Sequence, residues 1–166
     1  LEKIKTGDKV VYPKHGAGTI VGVEEREVLG EKKQYYIIDL PIGEMKAMLP
    51  TENAEELGVR RVINDAEIEE VLDVLRGDKT KMAKNWNRRY RNNLEKIKTG
   101  DIYEVSKVVR NLTIRDIEKG LSTGEKRILN NARQILVSEL VLAKDMEEEE
   151  VDEMLMDIFS RHEDED

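Results

Sequence analysis

The chain has 166 residues and a formal net charge of −8, no cysteine, and only two histidines, His15 and His162, far apart. That length suits one good-sized domain or two small ones; the missing thiols exclude disulfides and thiolate catalysis, and the histidines have no ligand-like spacing. No apolar run of about 18 residues is present to cross a bilayer and the amino terminus lacks the apolar stretch of a secretion signal, so a cytoplasmic protein is expected, with no membrane contact, metal or cofactor.

The octapeptide "LEKIKTGD" opens the chain and returns at residues 94–101 with entirely different flanks. After the first copy comes "KVVYPKHGAGTIVGVEEREVLGEKKQYYIIDLPIGEMKAMLP", in which β-branched and aromatic clusters at 10–12, 19–23, 34–40 and 44–49 are cut by turn signals. Short strands at roughly ten-residue spacing predict a small antiparallel barrel of the SH3-like or Tudor-like kind. "HGAG" is no phosphate loop, because no helix follows it, and a tight turn between strands explains its glycines through their tolerance of positive φ. No Ser/His/Asp ordering and no glycine-flanked carboxylate pair occurs, so a binding protein is expected and not an enzyme.

From residue 51 onward the pattern is helical. "TENAEELG" predicts a short capped helix, and "NDAEIEEVLDVLRG" opens with Asn64 and Glu67 as a capping box and puts Ile68, Val71, Leu72 and Leu75 on one face. A basic helix is predicted over residues 81–98. The second octapeptide ends it, with Asp101 capping the next helix, where Ile102, Val105, Val108, Val109 and Leu112 recur at helical spacing. Ser122 and Glu125 form a further capping box, and Val151, Met154, Leu155, Ile158 and Phe159 mark a last helix. One octapeptide thus enters a strand in its first occurrence and ends a helix in its second. The fold class is α+β, a small β-barrel followed by a compact all-α domain of about five helices. The boundary falls near residues 51–63; placed at 57, it gives domains of 1–57 and 58–162, with an acidic tail at 163–166.

Charge is uneven along the chain. Residues 145–166 hold twelve acids and one Arg, leaving residues 1–144 positive by three, and residues 76–98 alone carry nine Lys/Arg against two acids. A basic stripe with aromatics embedded in it is the electrostatic footprint of nucleic-acid binding, although such runs also occur as solvated helix faces. Within it, Lys84, Arg88 and Arg91 stand at i, i+4 and i+7, spacing that lines one face of a helix. Trp86, the only tryptophan, has two readings: with Tyr90, Leu94 and Ile97 it fits an apolar helical stripe that would bury it in the bundle core, yet it lies between Asn85 and Asn87 and beside Arg88 and Arg89, a poor neighbourhood for a core side chain.

"GDKVVYPKHGAGTIVGVEERE", "NWNRRYRNNLEKIKTGD" and "GLSTGEKRILNNARQILVSELVLA" together resemble the CarD/CdnL family of bacterial RNA polymerase-binding transcription regulators, with consistent spacing over residues 4–143. The resemblance implies a Tudor-like amino-terminal domain that docks on the polymerase β-subunit lobe. It also implies a helical domain that touches promoter DNA at the upstream edge of the bubble and stabilises the open complex. Arg26 and Val28 fall on the family's docking surface. Met48 stands where the family has Arg, a departure that exchanges an ion pair for an adaptable apolar contact. Arg88 and Arg91 match the family's phosphate contacts and Lys126 resembles a further one, while Trp86 occupies the position of a minor-groove wedge. The protein is expected to act as a monomer.

Three rivals stand beside this expectation, of which the longer CarD-type proteins with AT-hook tails fail because no Arg-Gly-Arg-Pro motif occurs. A relative of the transcription-repair coupling factor would share the Tudor-like domain but needs ATPase motifs, which are absent. A polymerase-binding adaptor without direct DNA contact would use the basic helix only as a solvated face, and salt-dependent DNA affinity separates it from a DNA-contacting regulator.

Overall fold

A computed structural model describes residues 4–13, 15–42 and 44–163. Five strands, β1 (Lys9–Tyr12), β2 (Gly16–Val28), β3 (Glu31–Leu40), β4 (Met45–Pro50) and β5 (Arg60–Arg61), form one sheet in the order β4-β3-β2-β1-β5. Every neighbouring pair is antiparallel. Five helices follow: α1 (Asp65–Arg76), α2 (Trp86–Lys98), α3 (Ile102–Lys119), α4 (Thr123–Lys144) and α5 (Glu148–Glu163). The expected α+β order, β domain then helical domain, is the order observed.

Alternation along the strands points Val10, Ile20, Ile38, Leu40 and Leu49 into one small core, closed by Ala54 and Val59. β2 and β3 run further than their apolar clusters predict. Their charged outer halves pair through to Val28 and Glu31, and the connection is two left-handed residues, Leu29 and Gly30. Two consecutive positive φ angles match the strand twist, so "LG" closes a hairpin that projects as an arm. Among the described residues, β1 accompanies β2 only to Thr19, and β4 accompanies β3 only at Tyr35 and beyond.

The short helix predicted at 51–58 is not formed. Thr51–Asn53 makes one 3₁₀ turn, and further turns follow because Ala54 and Val59 must both reach the sheet core within six residues. The glycines of "HGAG" also have two reasons where one was expected. Gly16 has positive φ, but Gly18 does not, and a Cβ on Gly18 would stand 2.6 Å from the Asp39 carbonyl oxygen.

In the helical part, Asn64 and Glu67 form the reciprocal capping box that their spacing predicts. α2 begins at Trp86 and not near residue 81, because Asn85 caps it by accepting from the Arg88 N–H at 3.0 Å. Val71, Leu75, Val109, Leu112, Leu136 and Leu155 centre the second core. Both octapeptide copies share a left-handed glycine, Gly7 and Gly100, followed by an Asp that accepts a backbone N–H. The first copy leads into β1 and the second into α3. Leu1, Glu2 and Lys3 of the first copy lie outside the described residues, as do residues 164–166 of the expected acidic tail.

α4 lies against β1 and β2 and joins the two halves. Ser138 Oγ accepts from the Ala17 N–H at 2.8 Å, and Gly16 passes so close that a Cβ would stand 2.7 Å from that oxygen. The next residue, Glu139, is fully buried and takes both arms of the Arg60 guanidinium and the Ile63 N–H.

Candidate functional site

The candidate residues fall on two surfaces. In the sheet, Met48 pairs with Ile37 and Ile37 with Gly22, so the three share a face. Period-two alternation along β2 then puts Arg26 and Val28 on that same face. Six residues separate Gly22 from Val28, so the surface runs about 20 Å from the Met48 row toward the arm's tip. Met48 and Val28 are 44% and 46% exposed, too open for core residues, and among the described residues the Arg26 side chain holds only a solvent-exposed ion pair with Glu24 at 2.9 Å. Among the described residues the strand edges beside this face are open: β4 ends the sheet, and the arm's halves outrun their neighbours.

The second surface is built where the first turns of α2 and α4 meet. Trp86 is 42% exposed, so it is no core residue. Its indole stacks on Tyr90 with ring centroids 5.0 Å apart and an interplanar angle of 23°. Its Nε1–H donates to Ser122 Oγ at 3.0 Å, and Ser122 is the N-cap of α4. Lys126 stands exposed one turn further along α4. Arg88 and Arg91 share the outward side of α2, opposite the buried Arg89, Asn93 and Ile97. Arg91 also lines an open polar cleft with Lys81 and Lys96.

Lys84 departs from its expected place. It precedes the Asn85 cap, so the i, i+4, i+7 alignment with Arg88 and Arg91 is not a helix face. Its carbonyl, like that of Ala83, accepts from Arg89 Nη1 at 3.2 Å, which fixes the bend leading into the helix while its side chain stays exposed.

Arg89 itself is the residue that sequence reasoning missed. It is 5% exposed and forms a two-bond pair with Glu125, Nε to Oε2 at 2.8 Å and Nη2 to Oε1 at 3.2 Å. These bonds hold the Glu125 carboxyl below its ordinary range against the opposing effect of burial, and they raise the Arg89 guanidinium further. The spacing Arg89, Asn93, Ile97 was the available signal, since it is the inward stripe of α2. Glu125 was expected to close a capping box; its carboxylate instead serves Arg89, while Ser122 Oγ still accepts the Glu125 N–H at 3.2 Å. No helix among the described residues is long and apolar enough to cross a membrane.

Known proteins match both halves. Residues 4–63 match the CarD-like/TRCF RID domain and residues 70–156 the C-terminal domain of CarD. A curated protein of Bacillus subtilis (strain 168), named "Putative transcription factor YdeB", is 39% identical over 145 residues, which cover 87% of this chain and 95% of that protein. A sheet domain and a helical domain matched in this order, over nearly the whole length, establish that the chain belongs to the CarD/CdnL family of transcription regulators.

Proposed function

We propose that the protein binds the RNA polymerase β-subunit lobe through its sheet and promoter DNA at the upstream edge of the bubble through its helices, so that the open complex persists longer. The observation that carries this reading is Trp86, a large aromatic held half-exposed beside basic side chains when a core was available to bury it. An aromatic side chain pressed into an opened base step replaces lost stacking. Arg88, Arg91 and Lys126, with Lys84 on the approach, supply charge for phosphates, which position a protein without reading sequence. On the docking side, residues 1–57 offer Arg26, Val28 and Met48 beside open strand edges, to which a polymerase strand adds with main-chain bonds. Residues 58–162 then serve as the DNA-contacting unit, except that Val59 and β5 at their start pack with the sheet.

The test is the Trp86→Ala variant of the full chain, assayed with polymerase and a promoter. A core tryptophan would cost about 3 to 5 kcal/mol on truncation. The exposed indole is expected to leave the melting temperature near that of the parent and polymerase capture intact, while the open-complex lifetime drops several-fold. An unchanged lifetime removes the wedge, and failure of the parent protein to capture the β subunit removes the docking.

A further inference from the structure

Gly124 lies in the first turn of α4 without a left-handed backbone, so conformation gives no reason for glycine there, and alanine is the better helix former. Space gives the reason. A Cβ at Gly124 would stand 3.3 Å from Trp86 Cζ2, 3.3 Å from Tyr90 Cε2 and 3.8 Å from Trp86 Cη2. The stacked rings of α2 therefore lie against the bare backbone of α4.

The edge of the indole is fixed as well. Ser122 Oγ accepts from Trp86 Nε1–H at 3.0 Å and donates to Glu125 Oε1 at 3.2 Å, and Glu125 is bound by Arg89, three residues after Trp86 on the same helix. Trp86, Ser122, Glu125 and Arg89 thus close a loop of bonds between the two helix starts. We propose that Gly124, Tyr90 and Ser122 are positioning residues that form a seat and hold Trp86 in one preset orientation before DNA arrives. The proposal rests on Trp86 being the DNA wedge and adds what aims it. A side chain that must enter a base step gains from being held within about 0.5 Å of its working position, because the search for that position is then already complete.

Trp86 is the only tryptophan, so its fluorescence reads this seat without interference. In the full-length parent, time-resolved anisotropy of the indole is expected to decay only with overall tumbling. Gly124→Ala is expected to add a fast nanosecond component and to shorten the open-complex lifetime at least about twofold, as displacement of a positioned group does. Its melting temperature should stay equal or rise, since the half-exposed ring yields and the helix improves. A purely structural glycine would behave in the opposite way, losing stability and leaving the indole unmoved. Ser122→Ala should loosen the indole in the same way, and Ser122→Thr, which keeps the hydroxyl, should restore it.

If Trp86→Ala shortens the lifetime and Gly124→Ala changes neither lifetime nor anisotropy, the seat is overturned while the wedge stands. If Trp86→Ala leaves the lifetime unchanged, the wedge reading fails and takes the seat's role with it.

Discussion

Arg60 and Glu139, 79 residues apart in the chain, meet through two hydrogen bonds of 2.7 Å each, a forked guanidinium on a fully buried carboxylate. Burial is the largest influence and works against the charge on Arg60, but the hydrogen bonds to Glu139 together with the negative charges of Glu139, Asp101 and Glu67 outweigh it, holding the guanidinium above its ordinary pKa. The same carboxylate receives the Ile63 N–H at 2.9 Å, so it ties β5, the entry to α1 and the middle of α4 together. Glu139→Ala should therefore lower unfolding free energy by about 3 kcal/mol or more, because it strands a half-buried charge and a buried N–H. Urea unfolding checks this; a loss under about 1 kcal/mol would mean that water replaces the carboxylate without penalty.

The second buried pair makes stability depend on acid in a definite direction. Glu125 has a depressed pKa because Arg89 binds its charged form. A depressed carboxylate contributes fully above its ordinary value of 4.5 and loses its contribution as pH falls through the lower folded value. The stability gap between the parent and Glu125→Gln should be constant from about pH 7 to about pH 5 and should narrow in more acidic solution. Parallel profiles down to the acid limit of folding would show that the pair adds no pH dependence.

For docking, Arg26→Glu should weaken polymerase binding by about 2 kcal/mol or more, since a rejected charge is left unpaired in a desolvated contact. The fold should survive, because among the described residues the Arg26 side chain bonds only to the exposed Glu24. Full binding by the folded variant would remove Arg26 from the surface.

For the helices, replacing Arg88, Arg91 or Lys126 singly should each reduce the salt dependence of DNA association by about one unit of slope, with sequence preference unchanged. Lys84→Ala should do less, since Lys84 stands off the helix face that carries Arg88 and Arg91. Unchanged slopes for all four would mark the stripe as a solvated face and favour an adaptor without DNA contact.

Legibility from sequence followed the range of the interactions. The capping box at Asn64 and Glu67, the inward stripe of α1 and the two fates of the octapeptide are decided within a few residues, and each was readable. The position of Trp86 was only half readable, because its polar neighbours argue for the surface while its spacing from Tyr90, Leu94 and Ile97 argues for the core, and its 42% exposure decides between them. The length of the β2–β3 arm was not, because "EERE" and "EKKQ" look like loop until each strand supplies the other's partner. Residues 51–58 have the composition of a helix, and the pull of Ala54 and Val59 toward a distant core overrides it. Arg89 and Glu125 each have an ordinary local explanation, a basic stripe and a helix cap, and only the meeting of two helices reveals them as partners.

The joint between the halves sets how their contacts add. Ser138 and Glu139 bind the sheet from consecutive positions of one helix, leaving no slack linker between the arm and Trp86. On the proposed docking, capture by polymerase turns the DNA contact into an intramolecular event at an effective concentration that reaches about the millimolar range when geometry matches the span. Neither contact alone then has to be tight. The same rigidity makes the pairing unforgiving: a loosened joint would leave both surfaces chemically intact and still lose the avidity that depends on their fixed separation.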